Sequence, residues 1–369
     1  MPGSSFGRLL RITTFGESHG PALGVIVDGV PPGMPLSQAD IQKEMDRRRP
    51  GQSAVTTSRA ETDTIEIASG IFEGRTTGTP IALLLRNEGA RSSDYDSIAR
   101  LYRPGHADYT YTAKYGTRDW RGSGRASGRE TAARVAAGAV AKRLLAGHGI
   151  SVLAYSLEIA GIRANVIDTS EIERNPVRCP DRDAAALMVA KIEEASKAGD
   201  SVGGIVQIVA TGCPPGLGDP VFDKLGALLA HALMSVGGTR GVEIGAGFEA
   251  AGMRGSTFND EYHTDHDRVE TRTNNAGGVL GGISTGSDIV ARVAMRPPAS
   301  IARPQNTVDL EGKPSTIEVR GRHDPCIVPR AIPVLEAMTA LVIADCLLVQ
   351  EAMRPKPPRE PPRESPRAD

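Results

Sequence analysis

The sequence predicts an α+β fold, and three observations carry that reading. Strand-like aliphatic runs and capped helical stretches are mixed without strict alternation, which disfavours a doubly wound sheet. Glycine contributes 42 of 369 residues, gathered in runs such as Gly122-Ser123-Gly124 and 277–282, as suits tight turns and close backbone approach. Aromatic residues are only 4%, with one Trp, so the core must be built from Ala, Val, Ile and Leu.

The elements follow in order. Leu23–Asp28 reads as a strand. Ser37 caps a helix running to about Arg49, where Pro50-Gly51 stops it. Thr64–Ser69 and Ile81–Leu85 read as strands. Ser127 and Glu130 form a capping-box pattern ahead of an Ala-rich helix ending near Ala146. Val152–Ile159 and Ile205–Ala210 are strand-like. Asp219-Pro220 opens a helix through about Ser235, with proline at the tolerated first position. Gly241–Phe248, Asp288–Met295 and Thr316–Val319 complete the strands. Pro329 to Met353 reads as a long C-terminal helix with an apolar face. One domain spans residues 1–354. The tail at 355–369 is proline-rich and charged, so it cannot bury a core and is expected to be disordered. No internal sequence repeat is visible.

Bulk properties exclude several classes. The net charge of -1 gives no global pull toward nucleic acid or anionic membrane. No stretch approaches the roughly 20 apolar residues of a membrane span, and no secretory signal is visible at the start. The four cysteines are scattered, as expected for free thiols in a reducing compartment, so a cytoplasmic protein is expected. Of the 43 basic residues, 35 are arginine. Arginine grips phosphate and carboxylate with a planar fork, although a genome favouring Arg codons gives the same bias.

Five clusters concentrate the chemistry. Gly16-Glu17-Ser18-His19-Gly20 brackets a histidine with glycines, which suits a proton carrier and equally an idle loop. Arg103-Pro104-Gly105-His106-Ala107-Asp108 pairs an arginine that could hold an anionic leaving group with an imidazolium that could protonate it. Arg47-Arg48-Arg49, with Arg59 downstream, lies at a helix end, where cations also gain simply from the macrodipole. Residues 121–130 form a Gly-Ser loop entering a helix, where free amides and flanking arginines suit an anion. This loop matches neither a P-loop nor a dinucleotide fingerprint. Gly321-Arg322-His323-Asp324-Pro325-Cys326 sets Arg, His and Asp side by side, as a salt-bridged loop also would. His148, His231, His263 and His266 lack such settings, and no metal motif stands out.

Together these segments resemble the chorismate synthase family. The resemblance reaches to about residue 352. It includes Thr14-Phe15-Gly16-Glu17-Ser18-His19-Gly20, Val27-Asp28-Gly29-Val30-Pro31-Pro32-Gly33 and Asp46-Arg47-Arg48-Arg49-Pro50-Gly51. It also includes Phe72-Glu73-Gly74, the His106 and Asp324 clusters, Ala276-Gly277-Gly278 and Leu280-Gly281-Gly282-Ile283-Ser284. The resemblance implies helices sandwiched between two antiparallel sheets with pseudo-twofold symmetry, and a homotetramer. It implies a redox-neutral 1,4-elimination of phosphate from 5-enolpyruvylshikimate-3-phosphate that requires reduced FMN. By the family pattern, Arg48, Arg49, Arg129, Arg134 and Arg322 hold substrate. Flavin positions fall on Arg125, Ala126, Ser127, Gly237, Gly238, Gly281, Arg296, Pro297, Pro298, Ala299, Ser300 and Arg322. His106 is the acid for phosphate and His19 protonates the reduced flavin. Asp324 steers proton removal, with Ser18 and Ser127 positioning it. Ala126, Gly128 and Asn275 depart from frequent family residues. Ala54 stands where some members carry an arginine linked to NADPH, which favours an external flavin reductase over intrinsic NADPH-dependent reduction. A flavin oxidoreductase and a non-catalytic phosphometabolite binder are the alternative classes; nucleic acid is disfavoured by charge and by scarce stacking aromatics.

Overall fold

The computed structural model describes residues 3–51, 62–87, 99–266, 268–319 and 323–353. Ala54, Arg59, Arg322 and the tail from Pro355 lie outside the described residues.

Two five-stranded antiparallel sheets enclose a helical layer. The first contains β1 (Ser5–Phe6), β2 (Arg11–Gly16), β3 (Ala22–Asp28), β4 (Ile65–Ile67) and β5 (Ile81–Arg86), in the order β1-β2-β3-β5-β4. The second contains β6 (Ser151–Ile159), β7 (Ile162–Arg163), β8 (Gly204–Thr211), β9 (Thr239–Ile244) and β10 (Ile289–Met295), in the order β9-β10-β8-β6-β7. The helices are α1 (Gln38–Arg48), α2 (Asp108–Tyr115), α3 (Thr131–Ala146), α4 (Arg182–Lys197), α5 (Leu225–Met234) and α6 (Val328–Met353). Helices α1 and α3 pack on the first sheet, α5 and α6 on the second, and α3 packs against α6 between them.

The two halves repeat one topology. β2-β3-α1-β4-β5-α3 is matched by β6-β8-α5-β9-β10-α6, and each sheet arranges its four strands in the order first-second-fourth-third. The expected pseudo-twofold architecture is therefore present in connectivity, although no sequence repeat betrays it. Alternation explains the sheets. Leu23, Val25 and Val27 face inward opposite Leu85, Leu83 and Ile81 of β5, all buried, as the two-residue period of a strand requires.

The helical layer is closely packed. A Cβ added at Gly138 of α3 would lie 2.2 Å from the Cβ of Ala337 in α6, so glycine here sets the helix separation. Nearly every side chain of α6 from Val328 to Leu347 is buried. This helix is long and apolar enough to cross a membrane by composition, yet 89% of its most apolar window is buried within the protein. The expectation that no stretch approached such a length is thereby corrected: α6 is the core helix.

One buried charge ties the layer together. Glu336 of α6 ion-pairs with Arg47 of α1 at 2.5 Å and Lys142 of α3 at 2.6 Å, and accepts from the Ala154 amide of β6 at 2.9 Å. Burial would raise its pKa, but Lys142 and Arg47 reverse that and hold it at about 2.

Several local expectations shift. Ser37 and Asp40 do form a capping box on α1. Ser127 and Glu130 do not: Ser127 caps a short 3-10 turn, while the Glu130 carboxylate accepts from Thr14 and Arg134 instead. The helix expected from Asp219-Pro220 begins at Leu225, because Val221 adopts φ +67 and cannot continue a helix. The strand expected over Gly241–Phe248 ends at Ile244, giving way to a 3-10 turn at Gly247–Gly252.

Candidate active site

A cleft of about 850 Å³ opens between the end of α1, the turns at 122–130, the end of α5, the 296–300 segment and the start of α6. Seven arginines line it: Arg48, Arg103, Arg125, Arg129, Arg134, Arg296 and Arg330. Among the described residues only two carboxylates do so, Glu130 and Asp324.

The arginines are held individually. Arg48 is 3% exposed and donates to Asp63 at 2.9 Å and to the Gly128 carbonyl at 2.8 Å. Burial, then the nearby Arg330, pull its pKa down to about 10. Asp63 is fully buried and also takes Arg129 at 2.5 Å. Burial opposes its charge, but Arg48 and Arg129 outweigh that and keep its carboxyl below the usual range. Arg134 spans Glu130 at 2.8 Å and Ser235 at 2.6 Å. Arg125 donates to Thr14 and the Gly16 carbonyl, which fixes the end of β2. Arg330 pairs with Asp324 at 2.5 Å.

The turn at 122–126 departs from ordinary backbone. Gly122, Ser123 and Gly124 all take positive φ, a run that glycine makes accessible on both sides of Ser123. The amides of Ala126, Ser127, Arg129 and Glu130 are bonded within the loop. They are therefore not the open helix-start donors that the sequence suggests; positive charge is presented here by side chains.

The expected Arg103–His106 partnership is also different. Arg103 is consumed by Asp108 in a two-pronged pair at 2.7 and 2.8 Å, and donates to Ser123 at 2.7 Å. It braces the loop and is not poised to hold a leaving group. His106 places Nδ1 3.0 Å from the Pro104 carbonyl and Nε2 2.9 Å from Ser300 Oγ. A carbonyl only accepts, so Nδ1 carries the hydrogen and Nε2 can accept from Ser300. Burial, then Arg103, lower the His106 pKa to about 4. In the free protein at neutral pH the ring is therefore neutral, and an imidazolium there needs an anionic neighbour.

Of the residues singled out from sequence, Ser18, His106, Arg125, Ala126, Ser127, Arg129, Arg134, Gly237, Gly238, Arg296, Pro298, Ala299, Ser300, Arg48 and Asp324 line this cleft. His19 sits directly behind the wall: a Cβ on Gly122 would lie 2.4–2.5 Å from its ring. Three others stand elsewhere. Arg49 is exposed beside Asp46 at 3.9 Å, Pro297 is exposed, and Gly281 lies in an exposed hairpin turn after Val279–Leu280. Asp63, Asn87 and Arg330 were missed by sequence reasoning, as was His231, whose ring packs 5.5 Å from Phe6 on the cleft wall.

The donor set fits an anionic occupant. Among the described residues, Arg296 Nε and Arg330 Nε are buried without a hydrogen-bond partner, and the excess of guanidinium over carboxylate along the cleft calls for compensating negative charge.

Comparison with known proteins agrees with this chemistry. The family model described as chorismate synthase matches residues 10–348. A chorismate synthase of Chloroflexus aurantiacus is 58% identical over 355 residues, covering 96% of this chain and 98% of the relative. One of Syntrophobacter fumaroxidans is 59% identical over 348 residues, covering 94% and 98%. One of Methanocella arvoryzae is 58% identical over 353 residues, covering 94% and 95%. A crystal structure of a chorismate synthase aligns with a TM-score of 0.75 at 34% identity, covering 94% of this chain and 93% of that one.

Proposed function

The chain belongs to the chorismate synthase family and is thus a lyase of aromatic amino-acid biosynthesis; from that premise we propose that it converts 5-enolpyruvylshikimate-3-phosphate to chorismate and phosphate, using reduced FMN. The observation that carries this reading is the cleft itself, where seven arginines face two carboxylates. Such a wall suits a substrate bearing one phosphate and two carboxylates together with a flavin phosphate.

Reduced FMN, when bound, would lend electron density to the breaking allylic C–O bond and recover it afterwards. The other tasks fall to this chain. Arg48, Arg129 and Arg134 grip the substrate's anionic groups, joined by Arg322 in the family pattern. Arg125 to Ser127, Gly237, Gly238, Arg296, Pro298 to Ser300 and Arg322 serve the flavin. His106 enters neutral. A phosphate dianion near Nε2 raises its pKa, so it takes up a proton on binding and returns it to the departing phosphate. His19 holds a proton at the flavin side. Asp324, held by Arg330, steers the proton that leaves the ring, with Ser18 and Ser127 positioning it. The chain works as a cytoplasmic homotetramer, and an external reductase supplies the flavin electrons in place of NADPH bound to this protein.

The test is anaerobic incubation with 5-enolpyruvylshikimate-3-phosphate, FMN and dithionite, with a no-flavin control. Equimolar chorismate and phosphate, formed only with flavin and without net flavin oxidation, is the expected result. Flavin binding without chorismate, or stoichiometric flavin oxidation, would overturn the reading in favour of a redox enzyme.

A further inference from the structure

Two residues outside every sequence motif join the two parts of this site. Asn87 follows the last residue of β5 and is half-buried. Its Oδ1 accepts from Arg129 Nε at 2.7 Å, and its Nδ2 donates to the carbonyls of Glu17 at 3.0 Å and Gly20 at 2.8 Å. The amide orientation is forced, because the guanidinium only donates and the carbonyls only accept. Those two carbonyls bracket Ser18 and His19, in a turn closed by the Gly20 amide on the Glu17 carbonyl at 3.1 Å. On the other side of Arg129, Asp63 binds Arg129 and Arg48 with separate carboxylate oxygens. Asp63 holds φ +46 to do so, a backbone state uncommon for a residue with a side chain.

We propose that Asp63 and Asn87 are positioning residues that lock the anion-gripping arginines and the Ser18–His19 turn into one unit. Asp63 offsets the repulsion between two adjacent guanidiniums and sets their aim. Asn87 carries that placement across to the histidine turn, whose ring is held from behind by the Gly122 backbone. Grip on the anion and placement of the proton carrier are then parts of one rigid arrangement. The inference rests on the proposed lyase reading for its kinetic consequences, but not for its structural one.

Two substitutions separate the arms. Asn87→Asp keeps an acceptor for Arg129 but cannot donate to the Glu17 and Gly20 carbonyls. Asn87→Leu keeps the volume and loses both arms. Both variants should lower kcat for chorismate formation about tenfold, as loss of a positioning contact does. Only Asn87→Leu should also weaken 5-enolpyruvylshikimate-3-phosphate binding, read by calorimetry. In the ligand-free protein, the His19 imidazole NMR signals should move or broaden in Asn87→Leu while those of His106 stay in place. Wild-type kcat in both variants, or His19 and His106 moving together as in a general loosening, would overturn the proposal. If the wild type neither binds this substrate nor makes chorismate, the functional reading fails, and the His19 signals still decide whether Asn87 positions the turn.

Discussion

Replacing His106 by Gln gives a sharp test of the site's electrostatics. The imidazole is held at about 4 by burial first, then by Arg103, with Arg296 adding and the Pro104 carbonyl and Asp108 opposing. An unhindered imidazole titrates near 6.5. Between those values the unfolded chain binds a proton that the folded chain refuses, so stability falls as pH drops through that window. Linkage puts the His106 contribution to that loss at about 2 kcal/mol between pH 8 and pH 5. Urea unfolding of both proteins at the two pH values, at one protein concentration, isolates it. Groups such as Asp63 and Glu336 titrate alike in both proteins and cancel. The wild type should lose about 2 kcal/mol more than His106→Gln. Equal losses, or a His106 resonance titrating near 6.5, would refute the reasoning. The same physics predicts that a bound phosphate reverses the shift, so ligand binding near pH 6 should take up a proton, detectable as a buffer-dependent heat.

Three further outcomes follow from packing and geometry. Gly138→Ala gains helix propensity of about 1 kcal/mol but overpacks the α3–α6 contact by about 1–3 kcal/mol, so the melting temperature should fall. Glu336→Gln leaves Arg47 and Lys142 beside a neutral partner in the core and should cost about 3 kcal/mol, read as a lower urea midpoint at pH 7. Gly122→Ala strains a residue at φ +60 and pushes on the His19 ring; chorismate formation should drop by about a hundredfold, the order expected for a misplacement near 1 Å, with circular dichroism unchanged.

How legible the fold was depends on how each element makes its burial. β3, β5, β6, β8 and β10 carry dense aliphatic runs and were found. β2 was missed because its inward positions are Ile12 and Thr14, while Phe15 lies outside and exposed; two apolar residues in six, on opposite faces, do not announce a strand. Helix α4 was missed although its signals were present. Asp181 caps it, and Ala184, Ala185, Met188 and Ile192 form a buried stripe at helical spacing. The start of α5 was misplaced for a tertiary reason: the Leu225 amide is taken by the Gly282 carbonyl, so the chain turns helical there and not at Pro220.

The site divides along a similar line. Glycine-flanked histidines and arginine runs reveal themselves, because open backbone and clustered charge are unusual in a sequence. Residues that work through a partner do not. Asp63 and Asn87 lie 66 and 42 positions from the Arg129 they hold, and each is unremarked among its neighbours in sequence. The Arg103–His106 motif shows the converse. Its spacing was visible, but the role of Arg103 turned on Asp108, five residues on, whose carboxylate closes the fork around the guanidinium. A guanidinium so neutralised stiffens a loop; one bonded to carbonyls, as Arg296 is to those of Pro297 and Gly105 on the cleft wall, keeps its charge for a ligand. Which of two arginines does which is decided by where the carboxylates fall in space, so the accurate reading of an arginine-rich sequence begins with locating its acids.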